Sequence, residues 1–482
     1  MPIGLMMAAA AAAAIGGGDC AALADGRWLH NGTVATARPV AAAGAAPAYC
    51  EVTATLTPVE GSRIGVVYRL PAQWNGKLLG LGGGGWAGNV RLDAALEGLG
   101  RGYAVAQTDG GHPGTDPWNT DWAASAPAIT DFQWRAVHET AVAAKAAIAR
   151  HYGRPQDKAY FQGCSTGGRM ALMEAQRFPA DYDGIISAAP VYSLQVQTSA
   201  ILRGQAFAAP GAALDDAMLA RVGAAAVAAC DMDDGLKDGL IADPRQCGFD
   251  PATLACKGGE AAGACLAPAQ IAALRTAYDG RRLPDGRWAA FPMSRGGEAG
   301  WSRFVPTAGR ADATNGGGMM GLKRPIFGDR PVDFAVFTLA DATAARAGDF
   351  ARAYEATDPD LSAFVKRGGR LILWHGENDP GPSPVGTADY YRAVQKAAPE
   401  AAATGVRLFM APGVEHCRGG PGPDQPRALD ALEAWVERGT VPATLPAAKA
   451  DGSVPRPLCP FPGTLHYRGG APETAAAWEC LG

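Results

Sequence analysis

Short apolar runs alternate with segments of helical periodicity in the first part of the chain, a pattern typical of proteins that pack helices against a sheet. Three runs have the length and composition of strands: Arg63–Leu70, Lys77–Leu81 and Tyr103–Thr108. A long helix is predicted within Asp131–Tyr152. Apolar residues recur there at helical spacing, namely Val137, Ala141, Ala144 and Ile148.

The next segment predicts a strand, a tight turn and a helix in immediate succession. The apolar run Ala159–Gln162 predicts the strand, and the glycine-rich residues after it predict the turn. A helix is expected from about Gly168 to Arg177, ending before Pro179. This order puts a sharp turn at the carboxyl end of a strand, where α/β proteins place their functional loops.

The regular alternation stops in the middle of the chain and then returns. From residue 191 to residue 360 the sequence is rich in Gly, Pro and Cys and predicts loops. The alternation resumes with four elements: a strand at Arg370–Trp374, a helix around Ala388–Ala397, a strand at Val406–Met410 and a helix from about Arg427 to Arg438. We therefore expect an α/β domain built from residues 19–190 and 361–482, with residues 191–360 inserted as a lid domain.

The composition agrees with a globular α/β protein and argues against a nucleic-acid-binding or membrane-binding protein. The 482 residues are 48% hydrophobic and 19% charged, enough to bury a large core. The formal net charge is −4, and no run of Lys or Arg suggests nucleic acid or an anionic membrane as a partner.

The first 18 residues contain an apolar run, Leu5–Ile15, that is too short to cross a bilayer and is typical of an export signal. The basic residues that usually begin such a signal are missing, and a flexible Ala-rich tail is the alternative. No later stretch approaches a transmembrane span. We expect a soluble protein that is secreted or periplasmic.

Ten cysteines, an even number, agree with export, because disulfides persist in oxidising compartments. Four neighbouring pairs enclose short loops: Cys20 with Cys50, Cys230 with Cys247, Cys256 with Cys265, and Cys459 with Cys480. Cys164 and Cys417 are left over. Spacing alone does not prove these pairings, and reduced core thiols are the alternative.

The turn Gly163-Cys164-Ser165-Thr166-Gly167 matches the pattern G-x-S-x-G. Between an apolar strand and a helix, this pattern predicts the nucleophile elbow of the α/β-hydrolases. The glycines let the backbone turn sharply, and the helix N-terminus faces developing negative charge. An ordinary strand-to-helix turn is the alternative.

A serine nucleophile needs an imidazole base and a carboxylate that orients it, and in this fold the chain order is Ser, acid, His. Asp379 follows the strand that ends at Trp374, and Glu377 is the competing carboxylate. Beyond Asp379 the chain has two histidines. His416, in the loop after Val406–Met410, is the better candidate than His466 in the tail. His375 is expected to be structural.

An oxyanion hole needs two backbone donors. The Thr166 amide is one candidate, and the run Gly82-Gly83-Gly84-Gly85-Trp86, through Gly83 or Gly84, is the other unless it is a flexible surface loop. If Ser165 and His416 meet, their neighbours Cys164 and Cys417 meet as well, and a disulfide would hold the two loops in register. The competing idea, a Cys164 thiolate nucleophile, conflicts with its position in the turn.

Five stretches resemble a known family: Thr108-Asp109-Gly110-Gly111-His112, DFQWRAVHETAVAAKAAIARHYG, YFQGCSTGGRMALMEAQRFPADYDGI, DPDLSAFVKRGGRLILWHGENDP and EHC. They are similar to the tannase and feruloyl esterase family, which includes mono(2-hydroxyethyl) terephthalate hydrolase. The resemblance implies an α/β-hydrolase core, a lid built from the insertion, the triad Ser165, Asp379 and His416, and a Cys164–Cys417 disulfide. Two departures from the family lie in the acid loop, at Glu377 and in Pro380-Gly381-Pro382-Ser383-Pro384.

The lid segment from Cys230 to Leu240 concentrates carboxylates around two glycine turns, and hard oxygen ligands of this kind suit calcium. A solvated acidic loop is the alternative, and the segment is not an EF-hand. The family resemblance implies a structural Ca²⁺ held by five residues: the carboxylates of Asp231, Asp234 and Asp238 and the main-chain carbonyls of Leu236 and Leu240.

The function predicted from these features is a serine esterase that acts on aromatic carboxylic esters through an acyl-enzyme. Trp301 and Phe304 are candidates to line the substrate pocket, with simple core packing as the alternative. Feruloyl, gallate and terephthalate esters stay open, with feruloyl-type esters first. A serine peptidase or acyltransferase on the same scaffold, and a non-catalytic calcium-dependent binding module, are the competing functions.

Overall fold

A computed structural model describes residues 19–261, 263–283, 286–304 and 319–482. The expected export segment, residues 1–18, lies outside the described residues. In the described part of the chain, the strands in chain order are β1 (Gly32–Val40), β2 (Tyr49–Leu56), β3 (Ile64–Pro71), β4 (Lys77–Leu81), β5 (Ala104–Thr108), β6 (Lys158–Cys164), β7 (Gly184–Ala188), β8 (Arg281–Arg282), β9 (Trp288–Ala290), β10 (Arg370–Gly376), β11 (Val406–Ala411), β12 (Gln425–Pro426), β13 (Leu445–Ala448), β14 (Arg456–Leu458), β15 (Thr464–Tyr467) and β16 (Trp478–Leu481).

The α-helices of the same ranges are α1 (Leu92–Gly100), α2 (Ala126–Thr130), α3 (Ala136–Tyr152), α4 (Thr166–Arg177), α5 (Gln195–Ala208), α6 (Asp216–Cys230), α7 (Pro268–Asp279), α8 (Lys323–Phe327), α9 (Leu339–Ala345), α10 (Asp349–Tyr354), α11 (Ser362–Lys366), α12 (Pro384–Ala397), α13 (Pro399–Gly405) and α14 (Ala428–Arg438). A π-helical turn, Asp131–Arg135, leads into α3. Short 3-10 turns lie at Cys20–Leu23, Asp121–Ala124, Asp231–Asp234, Pro251–Leu254, Glu298–Arg303, Met320–Leu322, Phe334–Val336 and Ala475–Ala477.

The main sheet has nine strands within the described residues, in the order β1-β2-β3-β5-β4-β6-β7-β10-β11. The strands β1, β2, β3 and β5 pair antiparallel, and every pair from β5 to β11 is parallel. Parallel neighbours place their carboxyl ends at one edge of the sheet. The mixed sheet with helices on both faces confirms the predicted α/β-hydrolase fold.

Successive side chains of the central strands enter two different cores, as the two-residue period of a strand requires. On one face Leu78 and Phe161 join the apolar sides of α3, α4, α12 and α13. On the other face Leu79 and Tyr160 pack with α1 and α14. Both faces of the parallel strands are therefore covered, which explains their nearly continuous apolar sequences.

The insertion is more helical than its sequence suggested. The prediction of loops over residues 191–360 is wrong for the six helices α5 to α10 of the described residues. The three longest, α5, α6 and α7, have only a weak apolar stripe. Most buried apolar residues between Phe207 and Trp301 form a core of their own, whereas Ile201, Phe291 and Met319 belong to the core beneath the main sheet. Only the middle part of the insertion therefore has a separate core.

Two antiparallel strands at the sheet edge, β1 and β2, were missed. The alternation of small and polar residues in β1 leaves much of that strand exposed, so its apolar signal is weak. Near the C-terminus, β12, β13 and β14 form a small sheet, and β15 pairs with β16. Of the helices described here, none has the length and apolar character needed to cross a membrane.

Candidate active site

Ser165 lies directly after β6 at the start of α4, with φ 64° and ψ −122°. This conformation is costly for a residue with a side chain, so the surrounding structure must hold it. The Ser165 amide donates to the Ala188 carbonyl at 3.0 Å, and the Ser165 carbonyl accepts from the Val191 amide at 3.0 Å. A sharp, strained turn between strand and helix is the backbone geometry of a nucleophile elbow.

The elbow requires glycine at both flanks. A Cβ atom on Gly163 would lie 2.4 Å from the Gly167 carbonyl oxygen, and one on Gly167 would lie 2.8 Å from the Gly83 carbonyl oxygen. Both distances are too short for non-bonded atoms. The elbow therefore packs directly against residues 82–86, the glycine loop.

The glycine loop follows β4 and is anchored beside the elbow. The Gly82 amide donates to the Gln162 carbonyl at 2.9 Å, and a Cβ on Gly82 would lie 2.5 Å from the Gly167 Cα. At Gly84, by contrast, a Cβ would meet nothing within 4 Å, and at Gly83 the nearest atom would be 3.9 Å away. The middle of the loop thus borders open space, while its first residues contact the elbow at Gly167.

His416 and Asp379 are joined by a hydrogen bond. His416 Nδ1 lies 2.7 Å from Asp379 Oδ2, and the Gly381 amide donates to Asp379 Oδ1 at 2.8 Å. The Asp379 side chain is fully buried, whereas the His416 side chain is 18% exposed. Because a carboxylate only accepts, His416 Nδ1 carries the proton and Nε2 is left as the basic nitrogen.

A second histidine contacts the same carboxylate. His375 Nε2 lies 3.1 Å from Asp379 Oδ2, and His375 Nδ1 lies 2.7 Å from the Thr387 hydroxyl. Burial alone would raise the pKa of Asp379, but the charge of His416 and the hydrogen bonds from both histidines outweigh it and lower that pKa. Sequence reasoning placed His375 in a structural role without identifying this contact, which joins residues four apart at the end of β10.

Glu377, the competing acid, faces a different partner. Its Oε1 atom lies 3.1 Å from the Arg245 guanidinium of the lid. Burial raises the pKa of Glu377 to about 7, and Arg245 opposes that rise. His466, the competing base, lies on β15, paired with Glu479 of β16. The structure therefore brings together Asp379 and His416, and it places both alternatives elsewhere.

The described residues contain five disulfides and no free cysteine. Cys164 and Cys417 are bonded, with their Cα atoms 5.9 Å apart. The other bonds join Cys20 to Cys50, Cys230 to Cys247, Cys256 to Cys265, and Cys459 to Cys480. The residue before Ser165 is thus covalently linked to the residue after His416, and Cys164 carries no thiol while the bond is intact.

The two aromatic candidates for the pocket differ in position. Trp301 is 1% exposed and lies in the lid core, with its ring centroid 5.6 Å from Tyr278 and 6.4 Å from Phe207. This is the core-packing alternative. Phe304 is partly exposed, and its ring lies edge-on to His416 at 5.7 Å. Phe304 therefore borders His416, and Trp301 packs in the core of the inserted segment.

The carboxylates of the acidic loop in the insertion already accept hydrogen bonds from other groups. Asp231 Oδ1 accepts from the amides of Asp238 and Gly239 at 3.1 and 3.0 Å, and Asp238 Oδ2 accepts from Arg456 at 2.7 Å. Burial, together with the charges of Asp238 and Asp231, raises the pKa of Asp234 to about 6. Asp234, Asp238 and Arg456 line a cavity of about 10 Å³.

The side chains of this loop do not by themselves complete a metal site. Across the described ranges, no three His, Cys, Asp or Glu side chains are arranged to hold an ion. The carboxylates still supply the donor type that calcium prefers. An ion there would need main-chain oxygens as well, and Leu236 and Leu240 are the residues that the sequence assigned to that role.

One buried cation near the acid was not predicted. Arg203 of α5 is 2% exposed and donates to the Pro380 carbonyl at 3.4 Å. Burial lowers the pKa of Arg203 to about 10, and the charge of Asp379 opposes that fall. A single Arg in a helix of the insertion carries no sequence signal for such a contact.

Comparison with known proteins gives concordant results. A family model described as tannase and feruloyl esterase matches residues 50–300 and 313–481. The chain is 34% identical to mono(2-hydroxyethyl) terephthalate hydrolase from Piscinibacter sakaiensis, over 96% of this chain and 91% of that protein. It is 30% identical to feruloyl esterase B from Aspergillus niger, over 90% of this chain and 86% of that protein. The crystal structure of feruloyl esterase B from Aspergillus oryzae has a TM-score of 0.85 at 27% identity, covering 96% of this chain and 99% of that chain.

Proposed function

Since the chain belongs to the tannase and feruloyl esterase family and is a carboxylic ester hydrolase, we propose that it cleaves aromatic esters with Ser165 as nucleophile, His416 as base and Asp379 as orienting acid. The observation that carries the proposal is the pairing of two links. The His416–Asp379 hydrogen bond fixes the imidazole, and the Cys164–Cys417 disulfide ties its loop to the elbow. Together these links support placing a nucleophile, a base and an orienting acid in one site, the three roles that acyl transfer to serine needs.

The proposed reaction has two steps. The Ser165 hydroxyl oxygen attacks the ester carbonyl carbon while His416 Nε2 takes its proton, and the intermediate then collapses as His416 returns that proton to the leaving alcohol. An acyl-Ser165 ester remains. Water attacks this ester with the same proton transfers, which releases the carboxylic acid and restores the serine. His416 is cationic between transfers, and buried Asp379 stabilises that charge.

The tetrahedral intermediate carries a negative oxygen that needs two donors. We assign them to the Thr166 amide at the start of α4 and to an amide of Gly83 or Gly84. The close contact between Gly82 and Gly167 supports this assignment, because it brings the glycine loop beside the elbow. The helix N-terminus adds a favourable electrostatic field.

The substrate is proposed to have a planar aromatic acyl group. The names of the relatives support this, since they specify feruloyl and mono(2-hydroxyethyl) terephthalate esters. Phe304 supports it too, because its ring lies beside His416 and is partly exposed. We place feruloyl-type esters first, ahead of gallate and terephthalate monoesters.

Calcium is proposed as a structural ion of the lid. The aspartates of this loop supply the hard oxygen donors that calcium prefers, and burial, with the charges of Asp238 and Asp231, raises the pKa of Asp234 to about 6. Asp231, Asp234 and Asp238, with the carbonyls of Leu236 and Leu240, would hold the ion. It would offset the repulsion between the carboxylates and stabilise the loop beside the Cys230–Cys247 disulfide.

Export from the cytoplasm is proposed from the state of the cysteines. All cysteines of the described residues are in disulfides, which persist in oxidising compartments. The protein would therefore act outside the cytoplasm, secreted or in a periplasm.

A hydrolysis panel tests the function. The aromatic substrates are methyl ferulate, methyl gallate and mono(2-hydroxyethyl) terephthalate, and methyl butyrate is the aliphatic control. Ferulamide tests for amide cleavage, and an added alcohol tests for acyl transfer. We expect kcat/KM for one aromatic ester to exceed that for methyl butyrate by at least about tenfold, roughly 1.4 kcal/mol. Preferred cleavage of the amide or net transfer to alcohol would instead indicate a peptidase or acyltransferase. A fluorophosphonate should label Ser165, as read by peptide mass spectrometry, and labelling elsewhere would refute the serine assignment.

A further inference from the structure

The motif Thr108-Asp109-Gly110-Gly111-His112 begins at the last residue of β5 and contributes nothing to the proposed triad. Asp109 builds it into a rigid turn: its Oδ1 atom accepts from the amides of Gly65 and Gly111, each at 2.8 Å. Gly111 has φ 94°, and a Cβ there would lie 2.4 Å from the Asp131 Cβ. The turn therefore requires glycine at Gly111, and it holds His112 in one place.

His112 points at the glycine loop. Its Nε2 atom lies 2.7 Å from the Trp86 carbonyl oxygen. The ring is 6% exposed and stacks on Trp122, with centroids 4.3 Å apart and planes 14° apart. Because a carbonyl only accepts, Nε2 must carry the proton. Burial lowers the pKa of His112, so the ring stays neutral and remains this donor near neutral pH.

The glycine loop is held at its two ends and is open in its middle. At one end the Gly82 amide donates to Gln162, and at the other the Trp86 amide donates to the Pro117 carbonyl, both at 2.9 Å. His112 fixes the Trp86 carbonyl. The intervening Gly83 and Gly84 meet no close neighbours at their Cβ positions. Glycine has the widest backbone freedom, so the anchors determine where these amides point.

We propose that His112 is a positioning residue for the reaction: its hydrogen bond to Trp86 aims the glycine-loop amides at the oxygen that becomes negative in the transition state. This inference rests on the proposed function, in which Gly83 or Gly84 supplies a donor to that oxygen. The side-chain contacts of His112 are with Trp86, Trp122 and Phe132, so it would act through the loop and not on the ester itself.

The proposal predicts a specific kinetic signature. Donors aimed at the tetrahedral oxygen stabilise the transition state more than the bound ester, so their misalignment lowers kcat and leaves KM nearly unchanged. Removing one such donor costs about 10²–10³ in kcat. Loosening one anchor should cost less, roughly 10- to 100-fold.

Three variants separate this role from a merely structural one. His112→Phe keeps a flat ring for stacking on Trp122 and removes the donor, whereas His112→Gln restores an N–H donor on a shorter side chain. The matched control is His151→Phe, at a buried histidine of α3 that is 3% exposed. For each we measure kcat, KM, the melting temperature and the inhibition constant of phenylboronic acid, which forms a tetrahedral adduct with a nucleophilic serine.

We expect His112→Phe to lower kcat by roughly 10- to 100-fold, keep KM within about twofold and weaken boronic acid inhibition by a similar factor to kcat. His112→Gln should recover most of the wild-type kcat and boronic acid affinity. His151→Phe should change neither kcat nor that affinity. Wild-type kcat and boronic acid affinity in folded His112→Phe would overturn the proposal. So would a loss of kcat in His112→Gln equal to that in His112→Phe. Failure of fluorophosphonate to label wild-type Ser165 would instead refute the proposed function itself.

Discussion

Asp379 Oδ2 lies 2.7 Å from His416 Nδ1 and 3.1 Å from His375 Nε2, so one buried carboxylate oxygen accepts from two imidazoles. The three residues lie at the carboxyl ends of neighbouring strands, β10 and β11. His375 and the Gly381 amide limit rotation of the carboxylate. His416 is consequently held in the tautomer whose basic nitrogen is Nε2, as the proposed mechanism requires.

Replacing each candidate acid by its amide should lower kcat to a different extent. Asp379→Asn removes the charge that orients and stabilises protonated His416, so kcat should fall by roughly three to four orders of magnitude. Glu377→Gln should lower kcat by less than about tenfold, because Glu377 contacts Arg245 rather than His416. Steady-state kinetics on the best aromatic ester measures both, and an equal loss in the two variants would contradict the assignment.

Ser165→Ala should abolish turnover, with kcat reduced on the order of 10⁴-fold or more, and the folded state should survive. Alanine at φ 64° is strained as serine is, so the melting temperature should change little. Ser453→Ala, in an exposed turn where the hydroxyl donates to Asp451, is the control. Near wild-type turnover by Ser165→Ala would remove the nucleophile from the mechanism.

Loss of the Cys164–Cys417 disulfide should affect both stability and rate. In the double variant Cys164→Ala/Cys417→Ala, the free energy of unfolding should fall by about 2–5 kcal/mol, and kcat should fall because the elbow and base loop lose their link. The control, Cys256→Ala/Cys265→Ala, opens a disulfide of sequence separation 9 within the lid and should leave kcat within about twofold. Guanidinium denaturation and kinetics under non-reducing conditions give the comparison, and equal kinetics in the two variants would argue against it.

Chelation should lower stability more than rate. If calcium contributes about 2 kcal/mol, EDTA should lower the melting temperature of this 482-residue chain by about 2 °C, while kcat well below that temperature stays within about twofold. The Asp234→Asn variant should have a lowered melting temperature, and EDTA should change that temperature little. Asp250→Asn, at a lid carboxylate that pairs with Arg275, should respond as wild type does. Identical melting curves with and without EDTA would exclude a bound calcium ion.

A buried lid carboxyl should make stability depend on pH. Burial raises the pKa of Glu298 from 4.5 to about 7, partly offset by the hydroxyl of Tyr278. Between these values the folded state holds a proton that the unfolded state has released, so the contribution to stability is complete below pH 4.5 and declines as pH rises to 7. Over that interval it amounts to about 3 kcal/mol.

Glu298→Gln removes this titration and keeps an acceptor for Tyr278. The free energy of unfolding of Glu298→Gln, measured in guanidinium at several pH values from 4.5 to 7.5, should decline less steeply than that of wild type. Glu473→Gln, at an exposed position, should retain the wild-type slope. A slope in Glu298→Gln that matches wild type would show that Glu298 titrates normally.

The parts of the fold with strong periodicity were predictable from sequence. Lys77–Leu81 is a strand with the predicted bounds, and the helix predicted from Gly168 begins two residues earlier, at Thr166. The helices of the insertion were not predictable. In α6 small Ala and Gly residues occupy many positions, so buried and exposed faces differ little in hydrophobicity.

Some residues of the candidate site were likewise predictable from sequence, and others were not. Ser165 follows from a local pattern, and the order of residues along the chain restricts the acid and base to a few candidates. The contacts that tune the site are not local. Arg203 reaches Pro380 across 177 residues, and His112 reaches Trp86 across 26. Such contacts depend on how strands and loops are arranged in space, which a single sequence does not state.

The Cys164–Cys417 disulfide spans 253 residues of sequence, and the whole insertion lies within the loop that it closes. Because the covalent joint stands outside the insertion, changes in the length or composition of that segment need not move the two ends of the joint. The elbow and the His416 loop would then stay in register even if the inserted segment were altered.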